Sequence, residues 1–443
     1  MEITVIASSS MDGGIGRWDL KTGNEQLRFK QCASPAHGLT AVGEKFIAAS
    51  QLHSASGSSG SIFFWSWNKP QVEVKSFPVE SITALVANSE GTYIVGGGAS
   101  GDIFLWEVAT GKLLKKWHAH YTSVTCLVFS GDGSFLVSGS QDGSLRVWSL
   151  IRLFDDQQRH QQQERTLYEH KFDEHTMTVT DIVIDYGACN ALLVSASRDN
   201  TCKVWSLSQG KLLRSIIFPS EINALALDPG GSVFYAGAED SNIYIGALNS
   251  SSDYYATEAL GSVSDTRKPI TCLAYCTDGN LLISGSEDGV ICVWDTRSNK
   301  PVRTFTFGHG KGPVNNIQVV RKTIVGNSNK SQSSWRRNVV SSLPPPPLEK
   351  YERKGDDAMD GIVIVDPPPF ANDVPVYSSY HSAGLIQEQV REIQQQGSAA
   401  TEIEMESLKL EYKKSIQMND QWQKNYEDLL QVVMEVELNG GSN

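Results

Sequence analysis

The chain has 443 residues, 40% hydrophobic and 20% charged, which is enough for more than one domain with a large core. Its net charge of -12 and pI near 5.3 exclude a fold-wide electrostatic grip on nucleic acid, which needs clustered Lys and Arg, so any RNA contact is expected to be local or indirect. No run reaches the roughly 18 apolar residues of a membrane span, and the start MEITVIASSS lacks the basic and apolar regions of a secretory signal, which predicts an intracellular protein without membrane contact.

From its first residues the chain aligns on itself. A short strand ending in Trp or a substitute recurs as GIGRWDL, SIFFWSW, DIFLWEV, SLRVWSL, TCKVWSL, NIYIGAL and VICVWDT. Its key positions are Trp18, Trp65, Trp106, Trp148, Trp205, Gly246 and Trp294, 41 to 48 residues apart except for one gap of 57 that holds an insertion. That period is near the ~40–45 residues of one propeller blade. Two further apolar runs precede each copy, as in VTCLVFS and FLVSGSQDGS, and a fourth follows a polar turn, as in KLLKKWH. Short alternating strands joined by Gly and Asp turns are hairpins, and stacking four-strand sheets around an axis buries faces that one sheet would expose. The prediction is an all-β, seven-bladed propeller over residues 1–320. Cys126, Cys202, Cys272, Cys276 and Cys292 fall in its apolar runs without CxxC spacing and read as buried, reduced thiols.

The repeat resembles the WD-repeat family residue by residue. A Ser ten residues and an Asp six residues before the Trp occur as Ser8, Asp12, Trp18; Ser138, Asp142, Trp148; Ser195, Asp199, Trp205; and Ser284, Asp288, Trp294. The resemblance implies that these side chains form hydrogen-bonded chains with a preceding His, and His120 and His175 stand in that place for two blades. A buried Asp needs such pairing, and this structural role outweighs a catalytic triad. Blade six places Ala236 and Gly246 where Ser and Trp are expected while keeping Asp240, and blades two and three lack the Asp. The chain opens on a second-strand sequence, EITVIAS, and VNNIQVV (Val314 to Val320) reads as an orphan first strand. Pairing the two would close the ring and remove two exposed edges.

Segments outside the blades differ in composition. Ile151 to Arg165 is polar and Gln-rich, either disordered or a docking loop. Residues 321–379 turn to Ser, Asn and Pro, with SSLPPPPLEKYERK and DGIVIVDPPPF embedded. Polyproline is stiff, extended and cheap to order, so this stretch is read as a linker, as a partner-docking segment, or as one that folds back on the propeller. Candidate anchors in it are Trp335, Arg336, Arg337 and Tyr351. Residues 384–438 read as helix, with a heptad seam at Ile386, Val390 and Ile393 and again at Trp422, Tyr426, Leu429, Val433 and Val436, broken at Gly397 and Ser398. Pairing of two copies through this seam as a coiled coil, or its insertion into a partner, is expected ahead of packing on its own ring.

No catalytic or cofactor motif survives inspection. Gly96 to Gly101 (GGGASG) satisfies the dinucleotide fingerprint in letters but leads into a strand, DIFLWEV, instead of a helix. Metal-spaced His or Cys clusters, phosphate loops and nucleophile elbows are absent from the sequence. No cofactor and no enzymatic activity are therefore expected. WDTR, Trp294 to Arg297, matches the WDxR motif of substrate receptors of cullin-type ubiquitin ligases, and this is the alternative function.

The whole layout, with blade one at the N-terminus, the Gln-rich insertion, the PLEKYE segment and a terminal heptad helix, resembles the WD-repeat subunit of the Rix complex, in plants the root-initiation-defective type. That resemblance implies a nuclear scaffold, nucleolar and nucleoplasmic, in assembly of the large ribosomal subunit and processing of spacer rRNA, with a link to DNA replication licensing. The partners it implies are a Rix-type helical-repeat protein, a second helical-repeat subunit, an AAA-type remodelling ATPase and the large-subunit precursor particle.

Overall fold

The computed structural model describes residues 2–351 except 12, 53–59, 155–167, 186–190, 232, 249–257, 263–267, 277–279, 308–311 and 323–343. The chain divides into a unit Met1–Lys354 and a second, Gly355–Asn443. The second unit lies outside the described residues, and with it the expected helix and its seam residues Trp422, Tyr426, Leu429, Val433 and Val436.

In the first unit the short apolar runs form seven four-stranded antiparallel sheets. The inner strands are Val314–Lys322, Leu39–Val42, Ile82–Ala87, Val124–Phe129, Val179–Ile184, Ile222–Leu227 and Ile270–Cys276 for blades one to seven, and each touches the inner strand of the next blade around the ring. Second strands such as Tyr93–Gly98, Phe135–Ser140 and Leu192–Ser197 are buried almost throughout, because blades cover them on both sides, while outer strands such as Lys300–Thr306 stay largely exposed. Blade one is built from both ends of the propeller sequence. Strand Val314–Lys322 pairs antiparallel with Glu2–Ser9, from Ser9↔Val314 to Glu2↔Lys322, so the ring has no free inner edge at its seam.

A second set of bonds ties the inner strands together. Thr125 and Thr180 donate through their hydroxyls to the carbonyls of Val179 and Ile222 in the next blade, both at 2.6 Å, and the Asn223 amide donates to Ile270 at 3.1 Å. Thr83 and Thr271 do the same to Val124 and Val314. From blade one to blade two the link is Gln318, whose amide accepts from the Ala41 N–H at 3.0 Å and donates to the Leu39 carbonyl at 3.1 Å. The sequence signal is a repeated dipeptide, Ile or Val followed by Thr or Asn, at the head of the inner strand. It stands there at 82–83, 124–125, 179–180, 222–223, 270–271 and 314–315. His37, in the connection entering blade two, crosses the axis to blade five: its Nε2 donates to the Thr180 carbonyl at 3.0 Å, and its Nδ1 lies 3.8 Å from Asp181. Burial raises the Asp181 carboxyl above the usual range, although it accepts from the amides of Ile182 and Leu225 at 2.8 and 2.7 Å.

The Gln-rich insertion begins differently from the reading above. Leu150–Phe154 is a short helix, and Leu153 is fully buried between blades three and four against Trp117 and Trp148. Apolar burial of Leu153 anchors the start of a stretch that its average polarity marks as loop; the remainder, 155–167, is outside the described residues.

Val320 sits opposite Thr4 in the closing ladder, and Thr4 turns its backbone groups to that strand because Ile3 spends its carbonyl on Leu20 on the other side. Val320→Pro removes a ladder donor in a paired strand, at a cost of about 3 kcal/mol or more, and urea unfolding is expected to show a correspondingly lower midpoint, whereas Val302→Pro in an exposed outer strand is expected to shift it far less.

Candidate functional site

The hydrogen-bonded chain is complete in two blades. In blade four the Trp148 indole donates to Ser138 Oγ at 2.9 Å, and Ser138 meets His120 Nε2 at 2.7 Å. His120 Nδ1 meets Ser144 Oγ at 2.9 Å, and Ser144 donates to Asp142 at 2.6 Å. Ser144 therefore stands between His and Asp, which are 3.8 Å apart. In blade five no such spacer intervenes. Trp205 donates to Ser195 at 2.9 Å, Ser195 meets His175 at 2.8 Å, and His175 Nδ1 meets Asp199 directly at 2.9 Å. Blade seven keeps the Trp294 to Ser284 bond at 2.9 Å, and Asp288 accepts from Ser286 and from the Val290 amide, with no His in the sequence before it.

These groups behave as structure. Burial pushes His120 down to about 4 from 6.5, so its ring is neutral. Burial acts to raise Asp142, but bonds from the Ser144 hydroxyl and amide outweigh it and hold the carboxyl below its ordinary range. Asp199 is likewise held low against its own burial by His175 and Thr201. Every polar atom of the chain is spent on its neighbour, and the buried thiols of Cys126, Cys202, Cys272 and Cys292 are all pushed up by burial, Cys272 to about 12. Among the described residues no group of His, Cys, Asp and Glu is arranged to hold a metal ion.

Blade one corrects the spacing argument. The turn between its second and third strands, residues 10–14, is one residue longer than residues 141–144 of blade four, so Ala7 and not Ser8 stands opposite Gly16, where Ser138 stands opposite Arg146. One residue of slip turns a side chain to the other face of a strand. Ser8 accordingly bonds Ser34 at 2.6 Å and accepts from Asn316 at 3.1 Å, and Trp18 packs on Phe305 and Phe307. Asp12 is outside the described residues. In blade six Phe234 fills the space of the missing Trp: a Cβ on Gly246 would lie 2.2 Å from the Phe234 ring, and Asp240 accepts from Tyr244 at 2.5 Å.

Blades two and three, which lack the Ser and Asp, satisfy their Trp from backbone. Ala49 and Gly96 occupy the serine position, and the Trp65 indole donates instead to the Lys30 carbonyl at 3.1 Å. Trp106 donates at 2.9 Å to the carbonyl of Glu349, 243 residues later. The proline segment thus folds back. The Leu348 N–H donates to Ser76 Oγ at 2.9 Å, the Glu349 N–H donates to the Gly111 carbonyl at 2.8 Å, and the Leu348 side chain, 5% exposed, packs with Val74, Phe104, Trp106 and Leu113. Pro345 and Leu348 are buried while Pro344, Pro347 and Tyr351 are exposed, the three-residue period of a polyproline helix. Gly111 has φ 70, and a Cβ there would come within 2.6 Å of the Pro347 carbonyl, so both its turn and the approach of the segment exclude a side chain. Of the candidate anchors, Tyr351 is 71% exposed at the end of this segment; Trp335, Arg336 and Arg337 are outside the described residues.

The blade geometry has counterparts among known proteins. The WD domain, G-beta repeat, matches residues 111–149, 166–206 and 258–295, which are the stretches ending in blades four, five and seven, where Ser bonds Trp. Over its whole length the chain is 75% identical to the protein ROOT INITIATION DEFECTIVE 3 of Arabidopsis thaliana, covering 100% of each. The chain belongs to that family. More distant relatives of this root-initiation-defective-type chain are the WD repeat-containing protein 18 of Bos taurus, 31% identical over 68% of this chain and 69% of the other, and the pre-rRNA-processing protein IPI3 of Yarrowia lipolytica, 28% identical over 68% and 72%. Among solved structures, the computationally designed Ika8 protein aligns with a TM-score of 0.50 at 25% identity, over 68% of this chain and 83% of that one.

Because His120 is neutral when folded and its ordinary value is 6.5, the unfolded chain binds the extra proton between about 6.5 and 4, and stability falls as pH drops through that window. His120→Gln is expected to flatten this dependence in urea titrations at stepped pH, and to cost roughly 1–3 kcal/mol at pH 7.5 by leaving Ser138 and Ser144 short of a partner.

Proposed function

We propose that the protein is a non-catalytic scaffold in ribosome biogenesis, acting in pre-rRNA processing as the WD-repeat subunit of a Rix-type complex in the nucleus and nucleolus. The observation that carries this reading is the full-length 75% identity, which spans the proline segment and the C-terminal unit as well as the blades, together with the pre-rRNA-processing name borne by a relative aligned over 68% of the chain. The networks described above support a structural use of every residue that could be mistaken for a triad.

One end of the propeller favours partner binding. Strands alternate in direction, so the turns between second and third strands and the connections from one blade to the next all lie at the same end. There Met11, Leu52, Phe77, Val79, Tyr121 and Met177 are exposed, Tyr121 at 81%, beside the exposed carboxylates of Glu174, Glu221, Glu239 and Glu287. Large apolar side chains among exposed charges, with Glu221 and Glu287 paired to Arg198 and Lys268, suit a partner surface that is apolar with a charged rim, and we assign this end to the helical-repeat partner of the complex. Residues 384–438 then serve to pair two copies of the chain. Arg297, which suggested a ligase receptor, faces the Asn280 amide oxygen at 2.8 and 2.9 Å when that amide is turned to accept, a contact within its own blade.

Affinity purification from nuclear extract tests the assignment. The tagged full-length chain is expected to recover helical-repeat assembly factors and large-subunit precursors, and its depletion to leave spacer-extended rRNA on a northern blot. Tyr121→Ala with Met177→Ala should lose the helical-repeat partner while keeping the melting profile, and a chain ending at Ser379 should no longer recover a second, differently tagged copy. Recovery of a cullin adaptor without ribosomal proteins would overturn the scaffold reading.

A further inference from the structure

The wedge between blades two and three differs from its counterparts in one residue that the third-strand register makes visible. The outer-strand residue opposite the position three before the repeat Trp is Phe29, Trp117, Phe172, Ile216 and Phe305 in blades one, three, four, five and seven. In blade two it is Ser76, opposite Ile62; blade six, the other exception, has Gly261. Where most blades supply a large apolar side chain from their own outer strand, blade two supplies a hydroxyl, and the space between it and blade three is taken by Leu348.

The same wedge also turns polar groups toward that space, where the segment bonds them. Gly96 stands where the serine that would accept from the Trp106 indole is found in blade four, so the indole turns outward to Glu349. Ser76 accepts one backbone N–H of the segment and the Gly111 carbonyl accepts the next. Three polar contacts fall on backbone atoms of the segment, and two of its side chains three residues apart, Pro345 and Leu348, are buried. Backbone capture with side-chain pockets at the polyproline period is how extended peptides are read.

We propose that the wedge between blades two and three is a peptide-binding site for an extended Pro-x-x-Leu segment followed by a residue that is not proline, with residues 345–349 of the same chain as its resident ligand. The condition on the residue after Leu follows from the Glu349 N–H bond to Gly111, which proline cannot make. Residency is a matter of tethering. The segment is joined to the last blade strand through residues 323–343 of the same chain, and covalent linkage turns its binding into an intramolecular event with an effective concentration on the order of mM. A free peptide therefore competes poorly with the intact chain and binds well once the resident segment is spoiled.

The test uses the full-length chain and a fluorescently labelled decapeptide with the sequence of residues 342–351 (SLPPPPLEKY). Leu348→Asp in the protein frees the seat, and fluorescence anisotropy is expected to show at least tenfold tighter peptide binding than the unaltered chain, with no binding by a peptide carrying the same Leu to Asp change. Adding Ser76→Phe places in blade two the aromatic that blades one and four carry, which fills the wedge from within and should abolish peptide binding while leaving the far-ultraviolet spectrum and melt in place. If the Leu348→Asp chain folds and binds no peptide, or if Ser76→Phe leaves binding intact, the proposal fails. Should Leu348→Asp not fold, Ser76→Phe alone decides through trypsin cleavage after Lys350: faster cleavage than in the unaltered chain supports displacement of the segment, and an unchanged rate overturns it. Recovery of the unaltered, tagged chain by the Leu348→Asp chain supports the same site filled by the segment of a second copy.

Discussion

Everything in the first unit depends on closing seven sheets against one another, and the pairing of Glu2–Ser9 with Val314–Lys322 is the bond set that makes closure possible. An open row of blades would leave one sheet face and one strand edge bare at each end. With the seam paired, each blade has two neighbours, second strands are buried on both sides, and the inner strands can hand hydroxyl and amide bonds from blade to blade around the axis. The loop-closure cost of joining segments about three hundred residues apart grows only slowly with length, so a single long-range ladder secures a large gain in buried surface.

Once the ring is closed, each interface poses the same problem: a wedge widening outward that must be filled, with the indole N–H of a buried Trp to satisfy. The chain solves it in four ways. Blades four and five use the Trp, Ser, His and Asp chain, blade two uses a backbone carbonyl of blade one, blade six replaces Trp by Phe234 against Gly246, and blade three borrows the carbonyl and side chain of a segment from beyond the ring. A buried donor without a partner costs more than any one of these partners contributes, which is why the solutions vary in detail while the indole of each of blades two to five and seven is bonded.

The functional consequence is a closed ring with exposed apolar side chains at one end and a side wedge occupied by an extended segment. A scaffold needs such separation of surfaces, since partners assembled at the same time cannot share one patch. The charge balance fits that role: a net charge of -12 gives no fold-wide attraction for RNA.

The blade count, the strand order and the networks of blades four and five were legible in the sequence because they are local: a hairpin of constant length carries Ser138 and Trp148, or Ser195 and Trp205, into register across ten residues. The same rule failed for Ser8 because one extra turn residue reverses the face of a strand, a change too small for spacing to reveal. The ring of Thr and Asn bonds was also written in the sequence, as a repeated dipeptide, but its meaning needs the next blade's carbonyl in place. What the sequence determined by itself is thus whatever repeats within a blade, set by hydrophobic period and turn length. What only the tertiary structure decided are the partners of Trp106, Ser76 and His37, which lie 243, 272 and 143 residues away, because contacts at that separation are chosen by which wedge and which carbonyl the closed ring leaves open, and no local pattern encodes that choice.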